Sequence, residues 1–205
     1  MEIRDKIIKE AGILFTSNGI RQVTMDAIAN EMGISKRTIY ENFKDKNDLL
    51  MNILTDGMIS HKKKAIEIMN NASNVIEALF LFGEYNQDVM EKINPLFFSD
   101  MKKYHLQVSQ ALMSNGQIRN YEITYTVLKR GVNEGIFRKE IDLDIANLFI
   151  HHIMDFFQKH EIQEKCNHQA IFLSVHLPYL RGLCTNKGTD LLKNFIEKHK
   201  NSEKK

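Results

Sequence analysis

The chain has 205 residues, 43% of them hydrophobic and 26% charged, with a net charge of +2. At this length folding buries about 70% of the surface of the extended chain, so neither disulfides nor a structural metal is required. Its two cysteines, Cys166 and Cys184, make no disulfide framework, the charged start Met1-Glu2-Ile3-Arg4-Asp5-Lys6 lacks the apolar core of a secretion signal, and no apolar run approaches ~18 residues; together these suit a reducing cytoplasm without a membrane span.

Two prolines and ten glycines, none clustered, point to long helices joined by short loops. Ile3, Ile7, Ala11, Leu14 and Phe15 recur at helical spacing and predict a first helix ending near Asn18-Gly19. Thr24 is placed to cap a short second helix with Met25, Ile28, Ala29 and Met32 inward, and Gly33 to stop it. Ser35 is placed to cap a third, with Ile39 and Phe43 inward. Asp45 opens a fourth, carrying Leu49, Leu50, Ile53 and Leu54 and running to about Asn70. Further helices are expected near 74–92, 96–114, 118–134, 142–160, 168–186 and 188–200, with breaks at Asn94-Pro95, Asn115-Gly116 and Gly135. Pro178 should kink or interrupt its helix. The expected fold is all-α: a small three-helix domain over 1–46, then a larger helical domain over 47–205.

Two short helices joined by a tight glycine turn form a helix-turn-helix, whose second helix enters the DNA major groove. Net charge does not decide the matter, since residues 1–50 carry eight Lys or Arg and eight Asp or Glu. Placement does. Removing inward Ile39 and Phe43 from Ser35–Phe43 leaves Lys36, Arg37, Thr38, Tyr40, Glu41 and Asn42 outside, with Lys44 and Lys46 following. These groups reach phosphates and base edges. A bare lysine cluster is more often a solvated helix face, and Tyr40 could be a packing residue.

The sequence resembles the TetR family of repressors. The resemblance runs through Ile7-Ile8-x-x-Ala11-x-x-Leu14-Phe15, Asn18-Gly19, Thr24-x-x-x-Ile28-Ala29-x-x-Met32-Gly33-Ile34-Ser35-Lys36, and Thr38-Ile39-Tyr40-x-x-Phe43-Lys44-x-Lys46-x-x-Leu49-Leu50, without a gap. It implies phosphate contacts from Thr24, Tyr40 and Lys46, and base or phosphate contacts from Lys36 and Arg37. Arg37 stands where a small residue is common and Asn42 where histidine is frequent, which bears on operator sequence. Arg130-Gly131-x-x-x-Gly135-x-Phe137 and Leu180-Arg181-Gly182-Leu183 resemble the boundaries of the two helices that usually dimerise in this family.

The resemblance implies a helix-turn-helix DNA-binding domain over 1–46 and a helical ligand-sensing and dimerisation domain over 47–205, with an operator of double-stranded DNA, a second copy of the chain and an apolar or amphipathic small-molecule effector as partners. Phe149, Ile153, Phe156, Phe172, Val175 and Leu183 are candidate dimer contacts. Phe82, Tyr85, Met101, Tyr104, Tyr121 and Tyr125 are candidate pocket residues, drawn from the methionines and aromatics of 80–130, Met113 among them, that are mostly core by default. His105, His151, His152, Asp155, Cys166 and His168 follow no known zinc spacing and read as core or interface residues, so no metal or cofactor is expected. No glycine-rich phosphate loop or nucleophile elbow supports an enzyme. A DNA-binding protein without a ligand is the alternative to a sensor.

Overall fold

The computed structural model describes residues 2–114, 121–160, 162 and 166–202. The break expected at Asn115-Gly116, and the side chains of Met113 and His168, lie outside the described residues. Those residues form helices and turns, with one isolated antiparallel bridge between Phe137 and Cys184. Contacts divide the chain into two compact units: residues up to Lys64 with those from Gly83 through the seventh helix, and Ala65–Phe82 with the chain from the eighth helix on.

In the first unit, α1 (Ile3–Asn18), α2 (Met25–Glu31) and α3 (Lys36–Asn42) are followed by α4 (Lys46–Asn71), which crosses into the second unit. Ile7, Ala11, Phe15, Ile28, Ile39, Phe43, Leu49 and Leu50 are buried together. Each large one contributes about 1.5–3 kcal/mol of burial. Ile3 departs from the expected inward stripe: at the first position of α1 it is 40% exposed. The caps follow the sequence. Thr24 Oγ1 accepts from the Ala27 N–H at 3.0 Å, Ser35 Oγ from Thr38 at 3.1 Å and Asp45 Oδ1 from Asp48 at 2.9 Å. Gly33 ends α2 at φ 64°, a left-handed conformation that costs a side-chain-bearing residue.

This packing unit takes in helices from later in the chain. After α5 (Val75–Glu91), α6 (Pro95–Tyr104) lies against α1, where the Asn94 N–H donates to Thr16 O at 2.7 Å and its Nδ2 to Ser17 O at 2.9 Å. Phe97, Val108 and Leu112 complete the same core. The helix expected over 96–114 is two helices, α6 and α7 (Leu106–Ser114). His105 breaks it at φ −127°, ψ 33°, and its Nδ1–H donates to Asn47 Oδ1 at 2.6 Å. Phe97, Met101, Val108 and Leu112 keep helical spacing across the break, so apolar periodicity conceals it.

The second unit is built from α8 (Tyr121–Asn133), α9 (Leu143–Lys159), α10 (His168–Ile171), a π-helical turn at Phe172–His176, α11 (Leu177–Leu183) and α12 (Asn186–Ser202). Val75, Ile76, Leu128, Ile136, Phe137, Leu177, Leu183 and Leu192 form its core. The widened turn falls just before Pro178, whose missing N–H and bulky ring deny Ser174 O a normal helical partner, so the helix expected over 168–186 is interrupted as proline requires and stops at Leu183. Gly131 and Gly188 allow close approach: a Cβ on either would lie 2.1 Å from the Phe137 ring or 2.2 Å from Ile136 O. No helix among the described residues is long and apolar enough to cross a membrane.

Candidate nucleic-acid interface

The short turn Met32–Ser35 sets α3 against α2, and burial of Ile39 and Phe43 fixes which side of α3 faces outward. Ser35, Lys36, Arg37 and Tyr40 are exposed on that side, Tyr40 by 47%, and Thr38 and Asn42 are half-buried beside them. Ser35 Oγ and Thr38 Oγ1 lie 2.9 Å apart, and Asn42 Nδ2 donates to Thr38 O at 2.8 Å. Thr24, at the start of α2, is exposed, as is Lys44.

Two cations of the face are engaged within the chain. Lys36 Nζ donates to Asp26 Oδ2 at 2.7 Å, linking α3 to α2, and that hydrogen bond raises the lysine pKa above its ordinary value. Arg37 Nε donates to Glu41 Oε1 at 2.9 Å, one helical turn on. Both pairs are exposed, where solvent screens an ion pair. A phosphate or base edge can displace such a carboxylate. Sequence reading missed the role of Asp26; α2 position 26 facing α3 position 36 is a tertiary relation without a local signal.

Lys46 stands apart. It is half-buried, its ammonium donates to Ile20 O at 2.5 Å and lies 5.5 Å from the Phe15 ring centre, and burial lowers its pKa against the opposing pull of Asp100. Asp100 itself is buried and accepts from the Arg21 N–H at 2.7 Å. Arg21 also donates to the Tyr104 hydroxyl at 3.0 Å and stacks on its ring. This Asp100–Arg21–Tyr104 tie was not singled out from sequence, because α6 supplies it from almost 80 positions away.

The other candidates are dispersed. Tyr121 and Tyr125 line one open cavity of about 360 Å³ in the second unit. Tyr104 lines another of about 380 Å³ in the first, beside Asn47 and His105. Met101 packs on the first unit's core, Tyr85 stacks near His61 at 5.5 Å, and Phe82 is half-buried in the second unit. Of the candidate contacts for a second copy, Phe149 and Phe156 are about half exposed and Ile153 and Val175 half-buried. Leu183 is buried in the second unit's core and Phe172 packs against Phe80, so both have contacts within the chain. His151 is a buried histidine, its Nε2 2.7 Å from Thr124 Oγ1 and its ring 3.9 Å from that of Tyr121.

Two short helices at a tight turn, the second with a polar and cationic outer face, define a helix-turn-helix DNA-binding protein. Residues 7–53 match the model for bacterial regulatory proteins of the tetR family. That match places a tetR-type DNA-binding segment at the start of the chain. The chain is 24% identical to the HTH-type transcriptional repressor KstR2 of Mycolicibacterium smegmatis over 72% of this chain and 73% of that one. It is 37% identical to an uncharacterized HTH-type transcriptional regulator, YhgD of Bacillus subtilis, over 41% of this chain and 47% of the other. Its fold is shared with a transcriptional regulator from Cytophaga hutchinsonii (TM-score 0.71, 19% identity, 88% and 98% of the two chains). It is shared too with FadR from Bacillus subtilis, solved in complex with stearoyl-CoA (TM-score 0.59, 20% identity, 87% and 98%). These relatives are regulators, not enzymes.

Proposed function

We propose that this regulator is a repressor that binds a near-palindromic operator as a homodimer and is released by an apolar or amphipathic small molecule. The observation that carries the DNA-binding part is the outer face of α3, where Lys36, Arg37, Thr38, Tyr40 and Asn42 stand together over buried Ile39 and Phe43. Thr24, Ser35, Lys44 and Lys46 supply flanking phosphate contacts, Lys46 after giving up its bond to Ile20 O.

A single recognition helix reads too few base pairs for strong specificity, and two-fold dimers double the contact. Ile145, Leu148, Phe149 and Phe156 support dimerisation: they recur at helical spacing on α9 and are each about half exposed or more. An apolar stripe of this kind is a partner surface in search of cover. Repression and ligand control are extended from the relatives, one named a repressor and another solved with stearoyl-CoA. α4 supports coupling because one continuous helix of 26 residues belongs partly to each unit.

The test is competitive operator binding with and without candidate apolar ligands. A coupled ligand should weaken operator affinity by about 5- to 150-fold, and operator should weaken ligand affinity by the same factor. Ligand-independent operator binding across the series would instead support a constitutive DNA-binding protein.

A further inference from the structure

Two cations of the first unit lie outside the helix-turn-helix and share a single aromatic ring. Arg21, in the loop between α1 and α2, and Lys103, near the end of α6, are both exposed. The Arg21 guanidinium lies 5.0 Å and the Lys103 ammonium 5.4 Å from the ring centre of Tyr104, itself 44% exposed. Among the described residues neither side chain pairs with a carboxylate, whereas Lys36 and Arg37 both do. The nearby acid, Asp100, is buried, and its Oδ2 accepts from the Arg21 backbone N–H. This pair of cations adjoins the flank assigned above to phosphates. Arg21 stands three residues before Thr24, and Lys46 donates to the carbonyl of the neighbouring Ile20. Lys103 and Tyr104 also line the open cavity of about 380 Å³ with Asn47, the residue after Lys46.

We infer that Arg21, Tyr104 and Lys103 form a second contact to the DNA backbone, beside the helix-turn-helix and without base reading. The proposal rests on the DNA-binding reading above and adds residues of α6 to it. Two like charges held against one ring repel each other, and phosphates between them turn that repulsion into attraction. Neither cation has an ion pair to give up, unlike Lys36 and Arg37, and a guanidinium suits phosphate geometry. Cation–π contact with the ring already restrains both side chains, so less freedom is lost on binding. The Tyr104 hydroxyl accepts from Arg21 Nη1 at 3.0 Å and keeps its own O–H to donate to a phosphate oxygen. A duplex docked on α3 carries a charge about every 1.7 Å of its axis, so a neighbouring cationic surface meets phosphates whatever the sequence.

The native chain, Arg21→Gln, Lys103→Gln and the double variant are titrated at rising salt, by fluorescence anisotropy, with a random-sequence duplex and with the duplex that the native chain enriches from a random pool. Each single substitution is expected to flatten the salt slope by about 0.9 on both duplexes, the double variant by about twice that, and the enriched motif should not change. Circular dichroism and melting temperature check that the fold is kept, as the exposure of both side chains predicts. Lys103→Gln leaves the Arg21–Tyr104 hydrogen bond in place, so it decides the question even if Arg21→Gln loosens the α1–α2 loop. Unchanged slopes in Lys103→Gln and the double variant, with the native chain binding DNA, overturn this contact while DNA reading through α3 stands. A changed motif would make Arg21 or Lys103 a base reader and overturn the backbone role. If the native chain binds neither duplex, the DNA-binding reading falls and this contact falls with it.

Discussion

Lys36 and Arg37 each hold a carboxylate in the free chain, so under the proposed DNA reading that exchange governs what their substitution does. Lys36→Ala or Arg37→Ala should lose about 1–3 kcal/mol of operator binding where the side chain reads a base, with circular dichroism unchanged because both are exposed. Asp26→Asn should act in the opposite sense, tightening DNA binding in fluorescence anisotropy by freeing Lys36 and removing a negative charge. Weaker binding by Asp26→Asn would show that the pair positions Lys36 for DNA. Lys46→Ala should flatten the salt slope by roughly 0.9 if its ammonium leaves Ile20 for a phosphate, and leave it unchanged if it stays. His105 provides a pH test. Burial, and secondarily the Lys46 charge, lower its pKa below 6.5 against Asp100. The unfolded chain therefore binds the proton first as pH falls, so stability present above 6.5 is lost between 6.5 and the lower folded value. Urea titrations across that window should show this loss, reduced in His105→Gln. The outer face of α3 was legible because inward Ile39 and Phe43 define it; the partners of Lys36, Lys46 and His105 were not, since each comes from another element.

Helix ends in the second unit are secured by one forked side chain. Arg130 donates through Nη1 to Met69 O and through Nη2 to Ala72 O at 2.7 Å, capturing carbonyls at the end of α4. Its Nε pairs with Glu134 at 2.5 Å, and Glu134 Oε2 accepts from the Val75 N–H at 2.8 Å, at the start of α5. Arg130→Ala should cost about 2–3 kcal/mol, since it strands two carbonyls and a half-buried carboxylate. Arg130→Lys should recover only part, lacking the planar fork. Denaturant unfolding measures both, and equal stability of Arg130→Ala and the native chain would refute the clamp. Gly188→Ala should destabilise by about 1–3 kcal/mol or more, its Cβ meeting backbone at Ile136 that cannot swing aside. Sequence marked Arg130, Gly131 and Phe137 only through family resemblance; the carbonyls that Arg130 binds are 58 to 61 positions away. The caps of α2, α3 and α4 were readable because each lies within three residues of its partner.

For the molecule as a whole, the proposed dimer ties covering the apolar stripe of α9 to reading DNA twice. Phe149→Asp with Phe156→Asp should convert a dimer into a ~24 kDa monomer, seen by light scattering, and reduce operator affinity although α3 is untouched. A native chain that is monomeric at micromolar concentration with and without DNA would remove the dimer from the proposal. The segment that carries the family signature spans 7–53, and helix-turn-helix geometry constrains its residues strongly. Residues lining cavities beyond it follow no fixed spacing, which is why Tyr121 and Tyr125 came together while Tyr85, Met101 and Tyr104 took other places. The most direct measurement is selection of bound sequences from a random DNA pool by the native chain, in parallel with the Lys36→Ala, Arg37→Ala double variant. An α3 that reads DNA in a two-fold dimer should enrich an inverted repeat, with half-sites about one helical turn apart, and the variant should lose that enrichment. Absence of any enriched motif, or the same motif selected equally well by the variant, would contradict DNA reading through α3.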